Sequence, residues 1–335
     1  MNFDLDPRRL REILSRYQRP SHRRSLAEIA ITAGPLALLW ALAVWAADSG
    51  RWWAALALSV PAGVFLVRMF MIQHDCGHAA FFRSRAANEW VGRVISVLTL
   101  TPYDYWRRTH AIHHATSGNL DRRWLGGVET LTVEEYRALP PLKRAGYRLY
   151  RNPLVMFGLG PAYMFVLQHR LPIGLMNERK AWLSVMGNNL GLAALVALEV
   201  AVGGWQALVF AHLPIVVVAA SIGVWLFYVQ HQFEDAYWAR NPQWTAHEAA
   251  LRGSSHLDLP PVLRWLTANI GAHHIHHAVS KIPFYRLPQV LRDIPALKEM
   301  NRLTLKDSVG AVRLSLWDEA RGRLVSFREA RLATA

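Results

Sequence analysis

The segment WWAALALSVPAGVFLVRMFMIQHDCGH, residues 52–78, holds the two features that decide the fold. From Trp52 to Ile72 it is apolar and long enough for a helix to cross a bilayer, whose core of about 30 Å takes about 20 helical residues. It then runs directly into HDCGH, where His74 and His78 stand four residues apart. On a helix that spacing puts both imidazoles on one face. The first expectation is a membrane helix that ends in a pair of metal ligands.

Three further segments have the same character: Ala27 to Ala47, Trp182 to Val202, and Trp205 to Tyr228. Asp48, Ser49, Gly50 and Arg51 join the first pair, and Gly203 and Gly204 join the second. Links this short predict two helical hairpins. The apolar stretch Leu154 to Gln168 is shorter and carries Gly158, Gly160 and Pro161, so it reads as interfacial or re-entrant. The expected architecture is an all-α integral membrane protein with four transmembrane helices and a cytoplasmic helical cap, forming one domain over residues 1–335. A basic cytoplasmic arm occupies residues 1–26, the cap residues 74–181 and 229–300, and a C-terminal tail residues 301–335. Within the tail, LSLWDEARGRLVSF alternates apolar and polar residues and predicts a small hairpin or helix.

Composition agrees with a membrane. Of the 335 residues 52% are hydrophobic, and 14 are Trp, whose amphipathic indole suits headgroup level. The 38 Lys and Arg exceed the 24 Asp and Glu, giving a formal charge of +14. Their placement decides what that charge means: 7 lie in the arm, 15 between His74 and Ala181 and 14 after Tyr228, whereas the two turns hold only Arg51. That is the positive-inside pattern of a multi-pass protein of the cell inner membrane with both termini cytoplasmic. It points to topology and contact with membrane lipids, with no nucleic-acid partner. The single Cys, Cys76, leaves no Cys pair for an iron–sulfur cluster, so redox equivalents come from another protein.

Eight of the 15 His stand at ligand spacing in three boxes: HDCGH with His74 and His78, HAIHH with His110, His113 and His114, and HHIHH with His273, His276 and His277. A lone His pair at this spacing is more often structural than ligating. Two HxxHH copies more than 150 residues apart are not explained that way, and clustered imidazoles beside apolar spans are poorly satisfied without a metal. Four-coordinate zinc would be saturated by half of these nitrogens, so the set fits two metals with open positions. Iron is favoured because a pair of irons activates dioxygen, and an apolar membrane substrate offers mainly C–H bonds. Asp75, Asp104, Asp121 and Glu234 lie near the boxes and are candidates to accept the second imidazole N–H. His274 lies off the ligand face and is assigned the same supporting role. His22, His169, His212, His247 and His256 lack a partner at ligand spacing and default to structural roles. Asn188, Asn189 and Glu199 in the third span either line an acyl tunnel or bond between helices.

In their order and spacing the three boxes resemble those of membrane fatty acid desaturases, in particular bacterial acyl-lipid enzymes related to the plant omega-6 type. The likeness runs from the first span to beyond IPFYRLP, Ile282 to Pro288. It implies a di-iron centre on the box histidines, a ninth ligand at His231 just after the fourth span, dioxygen as oxidant, an acyl-lipid substrate, and electrons from ferredoxin, flavodoxin or cytochrome b5. Hydroxylation or ketolation of an alkane, carotenoid or sphingolipid stays open, because it can share the same metal site. A zinc enzyme or a metal transporter is the competing class, disfavoured because there is no His-Glu-x-x-His helix and the boxes flank the spans.

Overall fold

A computed structural model describes residues 6–123 and 125–332 of the chain. Helix α1, Pro7–Ser15, starts with Pro7 in its first turn and with the Asp6 carboxylate accepting the Arg8 amide at 3.1 Å. Leu10 and Leu14, one turn apart, are fully buried in the main core. The arm is therefore packed rather than loose from Pro7 onward, because an amphipathic face gives it a place on the protein.

Helix α2, His22–Asp48, begins five residues before the expected span, at Ser21, whose hydroxyl caps the Arg24 amide. Helix α3, Trp52–Gly77, continues past Ile72 to carry the first box. Between them Gly50 takes φ +72°, a conformation that glycine adopts without strain. The third long apolar run is Arg179–His231, and among the described residues these three helices are long and apolar enough to cross a membrane. The third run is not straight. Gly204 takes φ +64°, ψ −175°, and Glu199 Oε2 lies 2.8 Å from His212 Nδ1. Thirteen residues along an unbroken helix would span about 20 Å, so the chain folds back at the glycines. Trp40 of α2 donates its indole N–H to the other Glu199 oxygen at 2.8 Å and holds the fold-back against α2.

Helix α3 is the centre of the bundle: 56% of its apolar window is buried, against 22% for α2. Outward faces carry Leu38, Leu42, Leu56, Val60, Leu190 and Leu198, exposed and apolar, which lipid solvates and water does not. Trp45, Trp52, Trp53 and Trp205 are exposed together at the turn end, as an interfacial belt requires. Inside, Arg68 of α3 is fully buried between Glu28 and Thr32 of α2 and the Trp265 carbonyl. Removing Glu28 would strand the Arg68 charge, at about 3–5 kcal/mol, whereas Glu28 itself has a second partner in Arg24 at 2.7 Å.

The fold is mostly helical, and two small sheets correct the all-α expectation. Strand β1, Leu131–Thr132, pairs in parallel with β4, Leu314–Asp318, which forms an antiparallel hairpin with β5, Arg323–Ser326. Strands β2, His256–Asp258, and β3, Arg302–Thr304, pair in parallel. The tail is thus the hairpin alternative of the sequence reading. Arg151, 4% exposed, clamps it by donating to the Leu314 carbonyl at 2.8 Å and to Gln232 Oε1 at 2.9 Å. The Leu154–Gln168 stretch forms short helical pieces, Val155–Leu159 and Gly160–Val166, with Leu154, Leu159, Tyr163 and Leu167 exposed.

Candidate metal centre

Four elements end at one place. The last turn of α3 brings His74 and His78; helix α5, Tyr103–Thr116, brings His110, His113 and His114; the helix His273–Ala278 brings the third box; and His231 closes the helix Leu213–His231. The i, i+3, i+4 spacing does locally what was expected, turning two or three rings of each helix to one side. The structure gathers all nine. His74, His78, His110 and His276 form one group, and His113, His231, His273 and His277 a second. Within each group one ring nitrogen per residue lies within 4.8 Å of all the others. His114 sits between them, its Nε2 3.1 Å from the Nε2 of both His110 and His276 and its ring stacked on His277 at 4.1 Å.

The nitrogens face one another. His74 Nε2 and His110 Nε2 are 3.2 Å apart, and His231 Nε2 lies 3.1 Å from His113 Nε2 and 3.0 Å from His273 Nε2. A neutral imidazole has one donor and one acceptor nitrogen, so such a crowd cannot be satisfied by mutual hydrogen bonds. His78 Nε2 and His277 Nε2 are buried without any hydrogen-bond partner. Around one first-row cation with bonds of about 2.1 Å, neighbouring nitrogens stand about 3.0–3.4 Å apart, the spacing seen here. Burial, reinforced by the neighbouring rings, holds His110, His113, His114, His273, His276 and His277 well below the ordinary histidine pKa. They are neutral at pH 7, with lone pairs free for a metal.

The supporting carboxylates divide. Asp75 lies beside a ligand candidate: Oδ1 is 3.3 Å from His74 Nδ1, and Oδ2 accepts the Phe284 amide at 2.7 Å, tying α3 to the IPFYRLP segment. Three others turn elsewhere, to arginines. Asp104 pairs with Arg93 at 2.9 Å and Arg107 at 3.2 Å, Asp121 with Arg240 at 3.0 Å, and Glu234 with Arg323. His274 also points away from the cluster, with Nε2 2.8 Å from the Leu297 carbonyl and Nδ1 3.4 Å from that of Ser255. In a chain with this excess of arginine, guanidinium outcompetes imidazole for a half-exposed carboxylate.

Other contacts were not foreseen. The Gly253 carbonyl lies 3.0 Å from His231 Nδ1, which places the proton there and leaves Nε2 to the cluster. Trp106 stacks on His110 at 4.7 Å, one turn before it on α5. Gly126, at φ +82°, passes so close to α5 that a Cβ there would sit 2.6 Å from the Thr109 carbonyl and 3.1 Å from the His113 Cβ. A carbonyl partner leaves no trace in sequence, but an aromatic at i−4 from a box histidine is a signal that could have been used.

Two groups of neutral buried imidazoles, three at the ends of helices long and apolar enough for a membrane and six on the short helices beside them, define the class: a membrane-associated metalloprotein of the histidine-box type. The profile of the fatty acid desaturase family matches residues 50–307, which include every box. A fatty acid desaturase of Bacillus subtilis is 41% identical over 96% of this chain and 91% of its own length. Two Synechocystis enzymes are each 28% identical: an sn-1 oleoyl-lipid 12-desaturase over 79% of this chain and 74% of its own, and a ferredoxin-linked sn-1 acyl-lipid omega-3 desaturase over 89% and 82%. The chain belongs to the fatty acid desaturase family and is an oxidoreductase of that kind.

Proposed function

We propose that the protein inserts a cis double bond into the acyl chain of a membrane lipid at a di-iron centre held by nine histidines. The observation that carries this is the convergence of the nine imidazoles into two groups, with nitrogens at metal-sharing distances and the other needs of the site unmet. On this reading His74, His78, His110 and His276, with His114, hold one iron, and His113, His231, His273 and His277 hold the other. When bound, the iron pair supplies the reductive activation of dioxygen. The overall balance is a –CH2–CH2– unit, dioxygen, two electrons and two protons giving –CH=CH– and two waters.

The chain's own part is positional. Asp75 steadies the His74 ring and the Gly253 carbonyl fixes the tautomer of His231, so that both present a lone pair to a metal. Trp106 and Phe227, against His110 and His113, supply apolar walls where a methylene chain can lie without competing for the ligands. Cys76 is buried and alone, so electrons are delivered by a protein donor, a ferredoxin before a flavodoxin or cytochrome b5 by analogy with the ferredoxin-linked relative.

Four crossings fit the fold-back at Gly203 and Gly204 and the distribution of charge, with the basic segments, both termini and the boxes on the cytoplasmic side of the inner membrane. One core joins α1, α2 and α3 to residues as distant as Leu297, which supports a single domain. Expression in a host lacking polyunsaturated lipids, followed by mass-spectrometric location of new double bonds, tests the reaction. A new alkene is expected; a hydroxylated product without one would overturn the assignment.

A further inference from the structure

His231 is the last residue of its helix, and Gln232 leaves the helix at φ −116°, ψ +74°. Helix ends fray, because their last carbonyls have no partner within the helix. A ligand on the final residue is therefore placed only as firmly as the chain around it is tied. The Gly253 carbonyl at 3.0 Å from Nδ1 fixes the ring, and the backbone beneath it needs a brace of its own.

Arg151, which follows the helix Pro141–Tyr150 and is 4% exposed, meets that need. Its Nη2 lies 3.1 Å from the Tyr228 hydroxyl, three residues before His231, and 2.9 Å from Gln232 Oε1, one residue after it. The same nitrogen reaches the Leu314 carbonyl of β4 at 2.8 Å, and Nη1 reaches the Glu129 carbonyl, ahead of β1, at 3.0 Å. Every one of these partners is neutral, and Arg151 forms no ion pair among the described residues. Its Nε is buried with no hydrogen-bond partner at all.

A buried cation without a carboxylate is costly, and holding the tail does not require one. Tyr147 already donates to the Ser315 carbonyl at 2.7 Å, and Tyr228 to that of Leu314. What the planar guanidinium adds is a fork that joins three segments at one point: the approach to β1, β4, and the chain on both sides of His231. Gln232 closes the set by donating to Thr130 Oγ1 at 3.1 Å.

The other histidine group is braced from elsewhere. Asp75 ties the end of α3 to the Phe284 amide, and helix α4, Arg85–Leu98, brings Asn88 to the Phe82 amide and carbonyl at 3.0 and 2.8 Å, four residues past His78. Neither brace touches Arg151.

We infer that Arg151 is a positioning residue for His231, and that through it the hairpin β4–β5 sets the metal affinity of the group His113, His231, His273 and His277. The inference rests on the two-metal reading and adds which part of the chain governs one site and not the other. Charge and geometry here predict opposite outcomes. Removing a nearby buried cation would by charge alone favour a bound metal ion, whereas removing the brace weakens it.

The test titrates the metal-free full chain in detergent with Co(II) under anaerobic conditions, reading its ligand-field spectrum, and follows backbone hydrogen exchange by mass spectrometry. The parent is expected to take two equivalents. Arg151→Met should bind one of them as the parent does and the other about 10–100-fold more weakly. Exchange should rise at the end of the helix Leu213–His231 and in β4, and stay parental in α3 and α5. Arg151→Lys, which keeps the charge and reaches fewer acceptors, should recover part of the lost affinity. Gln232→Met, which leaves the arginine in place and so guards against misfolding, should weaken the same equivalent by less. Arg137→Gln, which frees the tail only at the Ala330 carbonyl, should bind both equivalents as the parent does. Parental or tighter binding in Arg151→Met, equal weakening of both equivalents, or as large a loss in Arg137→Gln would overturn the inference. Exchange changes as expected, in a parent that takes only one metal, would tell against the two-metal reading and uphold the brace.

Discussion

Buried histidine appears at both ends of the helix bundle, in opposite conditions. At the turn end His212 is matched: Glu199 lies at 2.8 Å, Trp40 binds the other carboxylate oxygen, and the three groups satisfy one another. At the box end seven of the nine rings turn nitrogen toward nitrogen at 3.0–3.2 Å, and the Nε2 atoms of the other two, His78 and His277, have no hydrogen-bond partner. The first arrangement is complete as protein. The second is complete only around cations, and that difference separates a structural histidine from a ligand more securely than burial, which both share.

The contrast can be broken by substitution. His276→Ala should lower turnover more than about a hundredfold and reduce bound metal, while the protein still inserts; unchanged metal content would equate His276 with His212. Asp75→Asn should weaken metal binding by about 10–100-fold, because it loosens the His74 ring without removing a ligand. Metal titration reads that change, and an affinity equal to the parent's would leave Asp75 a purely structural link to Phe284.

The pH response sharpens the same point. The box rings outside the spans have folded-state pKa values held well below the ordinary value of about 6.5, so below that pH the unfolded chain binds protons that the folded chain does not. Metal-free protein should therefore lose stability progressively as pH falls below about 6.5, and bound metal should oppose the loss. A melting temperature flat between pH 7.5 and 5.5, values chosen to bracket that point, would mean the rings are not held neutral.

Glu199→Gln should cost about 1–3 kcal/mol in stability with full metal content, since it disturbs only the matched end. Loss of metal in that variant would show the two ends to be coupled. Smallest of all, Glu234→Gln should change stability by less than about 1 kcal/mol and leave metal binding alone, because its partner is the half-exposed Arg323.

What could be read from sequence follows from how local each signal is. Spans and boxes are periodic patterns within a helix, and the helices α2 and α3 and the box rings follow them. Partners across the fold are not local: nothing near Asp121 in sequence reveals that Arg240 reaches it, and at Asp104 only Arg107, three residues on, is a local sign of its arginine partners. His231 depends on a carbonyl at Gly253, which any residue could supply. Strands β1, β2 and β3 were missed because they have only two or three residues, too few for alternation to register. The fold-back was legible because glycine at both Gly203 and Gly204 permits the φ of +64° that the turn takes.

The central claim is that imidazoles from distant stretches hold a pair of irons. Its most direct test is iron quantification on protein purified and reconstituted without oxygen, with X-ray absorption at the iron edge. The account predicts about two irons per chain, one for each group, in a coordination shell dominated by histidine nitrogen. Zinc alone, with no activity after iron is supplied, or a single iron in an oxygen-rich shell, would contradict it.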